Sequence, residues 1–480
     1  MQRKCLLLIF SALVLFSACD NKSPHKPSGP EKRITILYTN DEHGWMQASE
    51  NQSGAAGLMA LWKEQEGYTE DGPFLILSGG DMWTGPAIST WFKGESMADV
   101  LNAMHYDAAA IGNHEFDFKI PELQARIVQS EFPLLAANIR EKSNGLIPDY
   151  IQPYTIIQVD SVDIGIIGLS TITTPYSTFP THVEDYDFIP YVTALEETVP
   201  QVKSAGAKII IVLGHLCEPE MRQLVDPAKQ LGISLITGGH CWELVSDVID
   251  GIGLIKTSAY LEYYGRVDMY FDAATGELQD IEIEIKPNQT ELRDAQVSAV
   301  VSYWEREMDA TLSEVIGYTQ SGIERWTAQM ENMVMDSWLL TFPEADAALS
   351  NAGGIRQDIP PGDITLGTIV GLLPFENLIM ELNMSGAEIQ AWAGNFIHSG
   401  LRGKNPYFFA DSTTIINTQI YKVLTTDYLY SRVDIPFQSI NPQPYSTAVH
   451  YRQPVIDWIK SLNTSATNPL DNYLDYENRK

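Results

Sequence analysis

Residues that could hold a metal ion occur in short polar clusters spread along the sequence. Carboxylate and neutral imidazole groups are the usual ligands of borderline divalent metals, and an asparagine carbonyl is an acceptable hard ligand. A single histidine of this kind is more often a hydrogen-bonded structural residue than a ligand. Five such clusters, each beside a glycine that permits a sharp turn, instead indicate a shared metal centre. The candidate ligands are Asp41, His43, Asp81, Asn113, His215 and His240, with His114 beside them.

Each cluster follows a short apolar run, and these runs predict the strands that position it. Runs of four to six apolar, largely β-branched residues bounded by glycine are typical of buried strands. Intervening stretches, such as residues 59–65 and 122–129, carry helical spacing. Alternating strands and helices with polar groups at the strand ends predict a layered α/β enzyme. The predicted strands span residues 34–38, 74–77, 108–111, 209–213 and 233–236.

Other segments predict how these strands are connected. Residues 154–170 and 264–285 have the pattern of antiparallel hairpins, the second turning at residues 274–276, so the sheets are expected to be mixed. Residues 289–312 contain few helix breakers and many charges, which predicts a long connecting helix. A second compositional unit begins near Val315.

The order and spacing of the polar clusters resemble those of the calcineurin-like metallophosphoesterases. The segments that carry the resemblance are Asp41-Glu42-His43, Gly80-Asp81, Gly112-Asn113-His114-Glu115, Gly214-His215 and Gly239-His240. Further along the chain, Gly353-Gly354-Ile355-Arg356 and Pro374-Phe375-Glu376-Asn377 narrow the resemblance to the bacterial 5′-nucleotidase/UDP-sugar hydrolase family. The likeness extends from about residue 34 to about residue 437.

The resemblance implies an α/β fold with two domains. The first is a four-layer metallophosphoesterase sandwich with mixed sheets, and the second is a separate α+β domain that binds substrate. The ranges implied are 34–287 for the metallophosphoesterase domain, 288–314 for the connecting helix and 315–480 for the 5′-nucleotidase C-terminal domain.

In the resembling family two divalent metal ions share one aspartate. Mn²⁺, Zn²⁺, Co²⁺ and Fe²⁺ all suit such Asp, His and Asn ligands. Two cations together activate a water molecule and polarise the phosphoryl oxygens. The ligands implied are Asp41 and His43 for one ion, Asn113, His215 and His240 for the other, and Asp81 for both.

The family also implies a donor to the phosphoryl group, and this position corresponds to His114. Asp117, three residues on, is expected to orient that imidazole and to favour its charge. The alternative for Asp117 is a carboxylate that caps a turn or a helix.

One position departs from the family pattern. The family usually has a second His or Gln ligand two residues after the last histidine, where this sequence has Trp242. An indole nitrogen is only a donor and cannot coordinate a cation. Glu243 and the thiolate of Cys241 are the candidate replacements, although neither has the family's spacing. The first metal site is therefore expected to be weakened.

Cys217 and Cys241 closely follow His215 and His240. If both histidines bind the same metal, the two cysteines lie near each other. A disulfide is then possible in an exported protein. Two buried thiols are the alternative.

The C-terminal domain is expected to determine which substrate binds. Aromatic rings that sandwich a nucleobase contribute ~1–3 kcal/mol each, and Phe375 and Tyr428 match the two rings, with core packing as the alternative. The family's Gly-Gly-Asp-Gly loop is replaced by residues 431–435, in which Asp434 keeps its spacing and Arg432 either reaches a phosphate or faces solvent. The implied substrate-binding residues are Arg325, Asn351, Arg356, Phe375, Asn377, Tyr428 and Asp434.

Composition and charge exclude several classes of partner. The chain has 480 residues, of which 62 are acidic and 31 basic, for a formal net charge of −31. This balance argues against nucleic acid as a ligand and against docking on anionic lipid through a basic face. A metal centre can still attract a small phosphorylated molecule.

The first residues resemble the leader of a bacterial lipoprotein. Arg3 and Lys4 precede a short apolar run that ends in Ser17-Ala18-Cys19. This pattern predicts a signal peptide over residues 1–18, acylation of Cys19 and a flexible tether over residues 19–33. An ordinary signal peptide is the alternative. The protein is therefore expected to be exported and lipid-anchored in the bacterial cell envelope, on its periplasmic or cell-surface side.

The family resemblance and the leader together imply an exported phosphohydrolase that converts nucleoside 5′-monophosphates to nucleoside and phosphate. A UDP-sugar hydrolase or a 2′,3′-cyclic nucleotide phosphodiesterase is the alternative within the same chemistry. A nucleotide-binding lipoprotein without catalytic activity is the alternative from another class.

Overall fold

The computed structural model describes residues 31–272 and 275–479. The predicted signal peptide of residues 1–18, the acylated Cys19 and the tether as far as residue 30 lie outside the described residues. Residues 31–33, predicted to end the tether, instead belong to the first strand, which begins at Glu31. These residues form part of the strand because the neighbouring antiparallel strand is long enough to pair with them, with Glu31 opposite Asp272.

The N-terminal part of the chain alternates between strands and helices. Its strands are β1 (Glu31–Thr39), β2 (Phe74–Ser78), β3 (Ala108–Ala110), β4 (Leu134–Leu135), β5 (Ile139–Glu141), β6 (Tyr154–Val159), β7 (Val162–Leu169), β8 (Tyr186–Phe188), β9 (Ile209–Gly214), β10 (Leu235–Thr237), β11 (Val245–Ile249), β12 (Ile252–Lys256), β13 (Tyr263–Asp272) and β14 (Leu278–Pro287). Its helices are α1 (Gly54–Glu64), α2 (Ala87–Thr90), α3 (Glu95–Ala103), α4 (Lys119–Gln129), α5 (Thr174–Ser177), α6 (Tyr191–Ser204), α7 (Glu218–Gln223), α8 (Val225–Leu231) and α9 (Ala295–Leu312).

Two mixed sheets form the centre of the N-terminal domain. One has the strand order β14-β13-β1-β2-β3-β4 and the other β11-β12-β10-β9-β7-β6. Neighbouring strands are parallel from β1 to β4, and again among β7, β9, β10 and β12, whereas β6, β11, β13 and β14 pair antiparallel. Both predicted hairpins are confirmed, as β6–β7 and β13–β14.

The two sheets pack face to face with helices on their outer faces. In β1, Ile36 faces the core between the sheets, whereas its neighbour Leu37 packs against α1, α3 and α9. In β9, Ile211 faces that same core, whereas Val212 packs against α6 and α8. Strands buried on both faces require continuous apolar runs. The predicted four-layer α/β sandwich is therefore confirmed.

The connecting helix is shorter than predicted. α9 begins at Ala295 because Asp294 caps it, accepting hydrogen bonds from the backbone N–H groups of Gln296 and Val297. Residues 289–294 therefore lie outside the helix. Trp304 of α9 is buried in the same core as α1 and α3, so the helix is packed onto the N-terminal domain along its length.

The C-terminal part of the chain forms a separate α+β domain. Its strands are β15 (Val315–Thr319), β16 (Ala347–Ser350), β17 (Gly362–Thr365), β18 (Leu378–Ser385), β19 (Ile397–Ser399), β20 (Leu401–Arg402), β21 (Phe408–Phe409), β22 (Ile420–Thr426) and β23 (Tyr445–His450). Its helices are α10 (Ala328–Thr341), α11 (Leu366–Leu372), α12 (Gly386–Trp392), α13 (Asp427–Ser431), α14 (Phe437–Ile440) and α15 (Gln453–Leu462). The main sheet has the order β19-β16-β22-β18-β23, with α10 and α15 on one face and α12 to α14 on the other.

No helix within residues 31–272 and 275–479 is both long enough and apolar enough to cross a membrane.

Candidate functional site

The predicted metal ligands come together at one edge of the two central sheets. Asp41 and His43 follow β1, Asp81 follows β2, and His240 follows β10. Carboxyl ends of parallel strands meet at the same edge, which brings these separate clusters into contact.

Several of these residues have a backbone conformation that is uncommon for a non-glycine residue. The φ angles of Asp41, His43, Asp81 and His240 are 52°, 46°, 60° and 69°. Such positive φ values cost roughly 1–3 kcal/mol each and persist where surrounding contacts impose them. Here the backbone N–H of Asp41 donates to the carbonyl of Gly80, and that of His43 donates to the carbonyl of Asp81, both at 2.9 Å. The strained turns point to a functional edge.

Glycine is required at two places in this edge. Gly80 has a φ of 88°, and a Cβ there would lie 2.8 Å from the backbone nitrogen of Gly112. A Cβ on Gly112 would lie 2.2 Å from Oδ1 of Asp81. Any side chain at either glycine would therefore displace the carboxylate or the turn that carries it.

Asp81 lies between two groups of potential ligands. Its Oδ2 is 3.0 Å from Nε2 of His215 and 3.9 Å from Nε2 of His43. One group consists of Asp81, His215 and His240, the other of Asp81, His43 and His114, and the ligand atoms within each group lie within 4.8 Å of one another. Asp81 therefore belongs to both groups of potential ligands, and His114 lies within ligand distance in one of them.

Backbone carbonyls orient the imidazoles. Nδ1 of His43 lies 2.8 Å from the carbonyl oxygen of Thr84, and Nδ1 of His215 lies 2.8 Å from that of Gly79. A hydrogen bond from Nδ1–H leaves the Nε2 lone pair free for a cation. Burial lowers the pKa of His43 well below its usual value, and burial with the nearby charge of His215 lowers that of His240 to about 4. The His43 and His240 rings are therefore neutral, as metal ligands must be.

The charge of the aspartates acts in the opposite direction on His215. Burial would lower its pKa, but the carboxylates of Asp81 and Asp41 raise it to about 10. A cation that takes this Nε2 lone pair must therefore displace a proton.

An unsatisfied acceptor supports a cation site. Asn113 is 1% exposed, and its Nδ2 donates to the carbonyl of Ser177 at 3.0 Å. Its Oδ1 is buried and accepts no hydrogen bond from any residue that the structure describes. An unmade hydrogen bond costs about 1–3 kcal/mol, and a divalent cation would satisfy this oxygen. The donor set therefore fits divalent metal ions.

Two buried glutamates position the ligands, although the sequence alone suggested no role for them. Glu115 accepts hydrogen bonds from the backbone N–H groups of Asp81 (2.9 Å), Met82 (2.7 Å) and Gly112 (2.6 Å). Glu42 accepts hydrogen bonds from hydroxyl groups on β1 and β2. Burial, with the charge of Asp81, raises the pKa of Glu115 to about 8. Their place inside the Asp-Glu-His and Asn-His-Glu motifs is the signal that could have revealed them.

The predicted His114–Asp117 pair is present. Nδ1 of His114 lies 2.6 Å from Oδ2 of Asp117, and the Thr178 hydroxyl donates to Oδ1 at 2.9 Å. Burial would lower the pKa of His114, but the carboxylates of Asp117 and Asp81 raise it. Thr178 is thus a positioning residue that no feature of the sequence indicated.

A cavity of about 670 Å³ lies between the two domains and meets a smaller one of about 300 Å³ at the ligand cluster. His114, Ser177 and Arg356 border both cavities. The predicted substrate-binding residues that line the larger cavity are Asn351, Arg356, Phe375, Asn377 and Tyr428.

The two predicted aromatic residues lie in different surroundings. The Phe375 ring stacks on the His114 ring, with centroids 5.9 Å apart and an angle of 24°. The Tyr428 hydroxyl donates to the carbonyl of Tyr176 at 3.2 Å, and its ring lies 6.3 Å from that of Phe179. Each ring therefore contacts the N-terminal domain across the cavity.

Two predicted substrate-binding residues lie outside the lining of the larger cavity. The Arg325 guanidinium lies 4.1 Å from the ring centroid of Trp326. The carboxylate of Asp434 forms two hydrogen bonds with Arg432, of 2.8 and 2.6 Å. Arg432 itself lines the larger cavity, with its side chain 25% exposed.

Two family matches accompany this geometry. Residues 34–241 match the calcineurin-like phosphoesterase family, and residues 315–411 match the 5′-nucleotidase C-terminal domain. The chain belongs to the 5′-nucleotidase family of metallophosphoesterases. As a member of this family, it is a hydrolase of phosphoric esters.

Individual relatives share most of their length with this 5′-nucleotidase family member. Protein UshA of Yersinia enterocolitica is 26% identical over 477 residues, which cover 86% of each chain. A 5′-nucleotidase of Vibrio parahaemolyticus is 27% identical over 448 residues, which cover 81% of this chain and 79% of the relative. In fold, the chain is similar to the crystal structure of a 5′-nucleotidase precursor from Thermus thermophilus, with a TM-score of 0.77, 21% identity, and coverage of 93% and 99%.

Both proposed replacements for the missing family ligand have other partners in the structure. Glu243 forms an ion pair with Nζ of Lys256 at 2.5 Å, and the Lys256 side chain is fully buried. Cys241 forms a disulfide with Cys217, with Cα atoms 5.3 Å apart. The hypothesis of a thiolate ligand is therefore wrong, whereas the predicted disulfide is confirmed. It ties the segment after His215 to the segment after His240.

Trp242 lies at the edge of the metal cavity. It lines the smaller cavity, its side chain is 48% exposed, and its ring centroid lies 6.1 Å from that of Tyr260. The Arg325 guanidinium lies 5.8 Å from the Trp242 ring. The position at which the family has a metal ligand therefore holds, in this chain, a tryptophan whose ring contacts Arg325 of the C-terminal domain.

Substituting Trp242→His is expected to strengthen metal binding. An imidazole supplies the ligand that the indole cannot. We expect the weaker of two Mn²⁺ dissociation constants to fall by at least about tenfold, or about 1.4 kcal/mol, in calorimetric titrations of chelator-treated protein. Trp242→Phe is the matched control, since it retains a ring without a ligand. An unchanged constant in the histidine variant would show that this position does not face the first metal.

Proposed function

We propose that this enzyme hydrolyses nucleoside 5′-monophosphates to nucleoside and phosphate with two divalent cations. The observation that carries the proposal is the junction of the two cavities. Arg356 and His114 border both the smaller cavity, which the ligand cluster lines, and the larger cavity, whose lining includes Phe375 and Tyr428. A phosphoryl group at the junction leaves its nucleoside in the larger cavity, beside the aromatic rings.

We propose two ligand sets around Asp81, as the family implies. Asp41 and His43 bind one cation with Asp81, and Asn113, His215 and His240 bind the other with the same carboxylate. When bound, the cations supply Lewis-acid stabilisation of the phosphoryl charge and activate the attacking water.

The residues of the chain provide orientation and hydrogen bonds to the reacting group. The guanidinium of Arg356 offers a rigid fork of donors to the phosphoryl oxygens. Asp117 holds Nδ1–H of His114, so that Nε2–H donates to the oxygen on which negative charge develops. Water adds to phosphorus, the bond to the 5′-oxygen breaks, and that oxygen leaves with a proton as the nucleoside hydroxyl.

The test is phosphate release from AMP by a soluble chain that begins at Ser23. The protein is stripped with a chelator and titrated with Mn²⁺, and the bound metal is counted at each step. We expect turnover to rise as the second metal binds. Cleavage of UDP-glucose or a 2′,3′-cyclic nucleotide without release of phosphate from AMP would favour the diesterase alternative. One tight metal with nucleotide binding and no turnover would contradict the enzyme assignment and favour a binding protein.

We also propose export and lipid anchoring through Cys19. The leader-like sequence before Cys19 and the Cys217–Cys241 disulfide support it, since disulfides persist in oxidising compartments. Labelling with a radioactive fatty acid is expected to mark the wild-type protein but not Cys19→Ala. Equal labelling of both proteins would contradict the anchor.

A further inference from the structure

The carboxylates in the lining of the larger cavity differ in their partners. They belong to Asp117, Glu376 and Asp427. Asp117 is hydrogen-bonded to His114, and Glu376 lies 3.2 Å from the guanidinium of Arg452. Asp427 is half-buried and forms no ion pair within the part of the chain that the structure describes. A carboxylate in such a place is costly unless hydrogen-bond donors surround it.

One oxygen of Asp427 has a structural role. Its Oδ1 accepts hydrogen bonds from the backbone N–H groups of Leu378 at 3.0 Å and of Tyr428 at 2.9 Å. Thr426 is the last residue of β22 and pairs with Ile379 of β18, so this oxygen extends the contact between the two strands by one step. Two donors fill the two acceptor positions of one carboxylate oxygen. The fold therefore accounts for Oδ1.

The second oxygen of Asp427 is left for a ligand. Within residues 31–272 and 275–479, Oδ2 accepts no hydrogen bond from another residue. Asp427 lines the larger cavity, so a molecule bound there can reach this oxygen. Burial raises the pKa of Asp427 to about 6, which leaves the carboxylate ionised at neutral pH. An ionised carboxylate only accepts hydrogen bonds, so the matching ligand group is a donor.

Asp427 lies on the nucleoside side of the larger cavity. It directly precedes Tyr428, one of the two rings proposed to stack on the base, and its Oδ1 holds the N–H of the residue that follows Asn377. Asn377, Asp427 and Tyr428 line the larger cavity, whereas Arg356 borders the smaller one as well. The phosphoryl group is placed beside Arg356. Asp427 is therefore positioned to meet the nucleoside rather than the phosphate.

The chemistry of a nucleoside narrows the choice of donor. Adenine carries an amino group at position 6 of the purine, and guanine carries one at position 2. These groups project from the edge of the ring, where a base stacked on Tyr428 can present them to Asp427. The ribose hydroxyls are donors too, but the ribose joins the base to the 5′-phosphate and lies nearer Arg356. A buried acceptor discriminates strongly against an analogue that lacks the matching donor, because the acceptor is then left unpaired.

We infer that Oδ2 of Asp427 accepts a hydrogen bond from an amino group of the nucleobase, so that the enzyme prefers nucleotides of aminopurines. Asp427 is then a specificity-determining residue that has no part in the metal centre. The inference rests on the proposed function, because the 5′-phosphate must occupy the metal centre for the base to reach this wall.

Two pairs of nucleotides that each differ by one amino group test the inference with the full chain. AMP is compared with purine riboside 5′-monophosphate, which lacks the 6-amino group, and GMP is compared with IMP, which lacks the 2-amino group. The quantity measured is kcat/KM for release of phosphate. In the wild type we expect the amino member of at least one pair to be preferred by at least about tenfold, mainly through KM.

Asp427→Asn is the decisive variant. Its amide keeps the oxygen that the two backbone N–H groups require and replaces the free oxygen with an NH₂ donor. We therefore expect the fold to be retained and the preference to fall to about twofold or less. A purely structural role for Asp427 would instead change both members of a pair equally. Asp250→Asn, at an exposed carboxylate paired with Lys229, is the matched control and leaves the preference unchanged.

The pair that shows the preference identifies the amino group, at position 6 or at position 2. Turnover without preference in either pair, or a preference that survives Asp427→Asn, would overturn the inference and leave the proposed function intact. The same holds if Asp427→Asn removes only a preference for AMP over its 2′-deoxy or 3′-deoxy analogue, since the ligand group is then a ribose hydroxyl. If no nucleotide is hydrolysed, the proposed function fails, and calorimetric binding of the two pairs decides the inference. Equal affinities, or no binding, would then overturn it.

Discussion

Asp81→Asn is expected to remove metal binding and to lower turnover by at least about a thousandfold, or about 4 kcal/mol. Asp81 is the residue that the two candidate ligand groups share. An amide has the same shape but no charge, so each cation loses a charged ligand at once. Metal counted on the purified variant, together with AMP turnover, measures both effects.

The fold should survive this substitution. Asn tolerates the left-handed backbone that Asp81 adopts, with its φ of 60°. Burial would raise the pKa of Asp81, but the neighbouring His215 and His114 hold it well below its usual value, so the loss of the carboxylate removes a net attraction in the chelator-treated protein. We therefore expect the melting temperature without metal to fall, and the rise on adding Mn²⁺ to disappear. Two metals per chain in the variant would contradict the proposed bridging role.

His114→Asn is expected to lower turnover by about 10²–10⁴-fold while the metal content stays the same. The proposed role of His114 is to donate a hydrogen bond to the phosphoryl group, which does not require it to bind metal. Its ring nevertheless lies within 4.8 Å of ligand atoms of His43 and Asp81. Metal counting therefore decides between the two roles: a lost ion would make His114 a ligand, and unchanged turnover would remove it from the mechanism.

Asp117→Asn is the companion variant for the same pair. Its carboxylate raises the pKa of His114, so the amide is expected to lower it. If the imidazolium is the active form, activity falls as pH rises through this pKa. The fall should therefore begin at lower pH in Asp117→Asn than in the wild type. A pH profile of kcat/KM that does not move would show that Asp117 only holds the ring in place.

The local sequence was sufficient to predict the layered fold and to predict that the ligand residues meet at one edge of the sheets. Apolar runs such as residues 34–38 and 209–213 are continuous because their strands are buried on both faces, so the runs mark the central strands directly. The ends of parallel strands must meet at one edge, so strand prediction alone brings Asp41 and Asp81 together. The boundaries were less predictable. α9 begins at a cap, Asp294, inside a stretch whose composition is helical throughout.

Some contacts within the site could not be predicted from sequence. Asp434 kept the family spacing, yet its carboxylate pairs with Arg432 rather than lining the cavity. Glu243 was available in sequence to bind metal, yet it pairs with the buried Lys256. A charged group takes the partner that reduces its desolvation cost most, and that choice depends on which groups are buried beside it.

The sequence by itself determined the family, the layered fold and the identity of the candidate ligands, because these follow from residue types at the ends of predictable strands. Tertiary structure alone decided the partners of each polar side chain: Thr178 on Asp117, the disulfide rather than two thiols, and Arg432 in the wall of the cavity. Such pairings join residues far apart in the chain. Burial and packing select among several chemically equivalent candidates, and that selection exists only once the two domains have folded around one cavity.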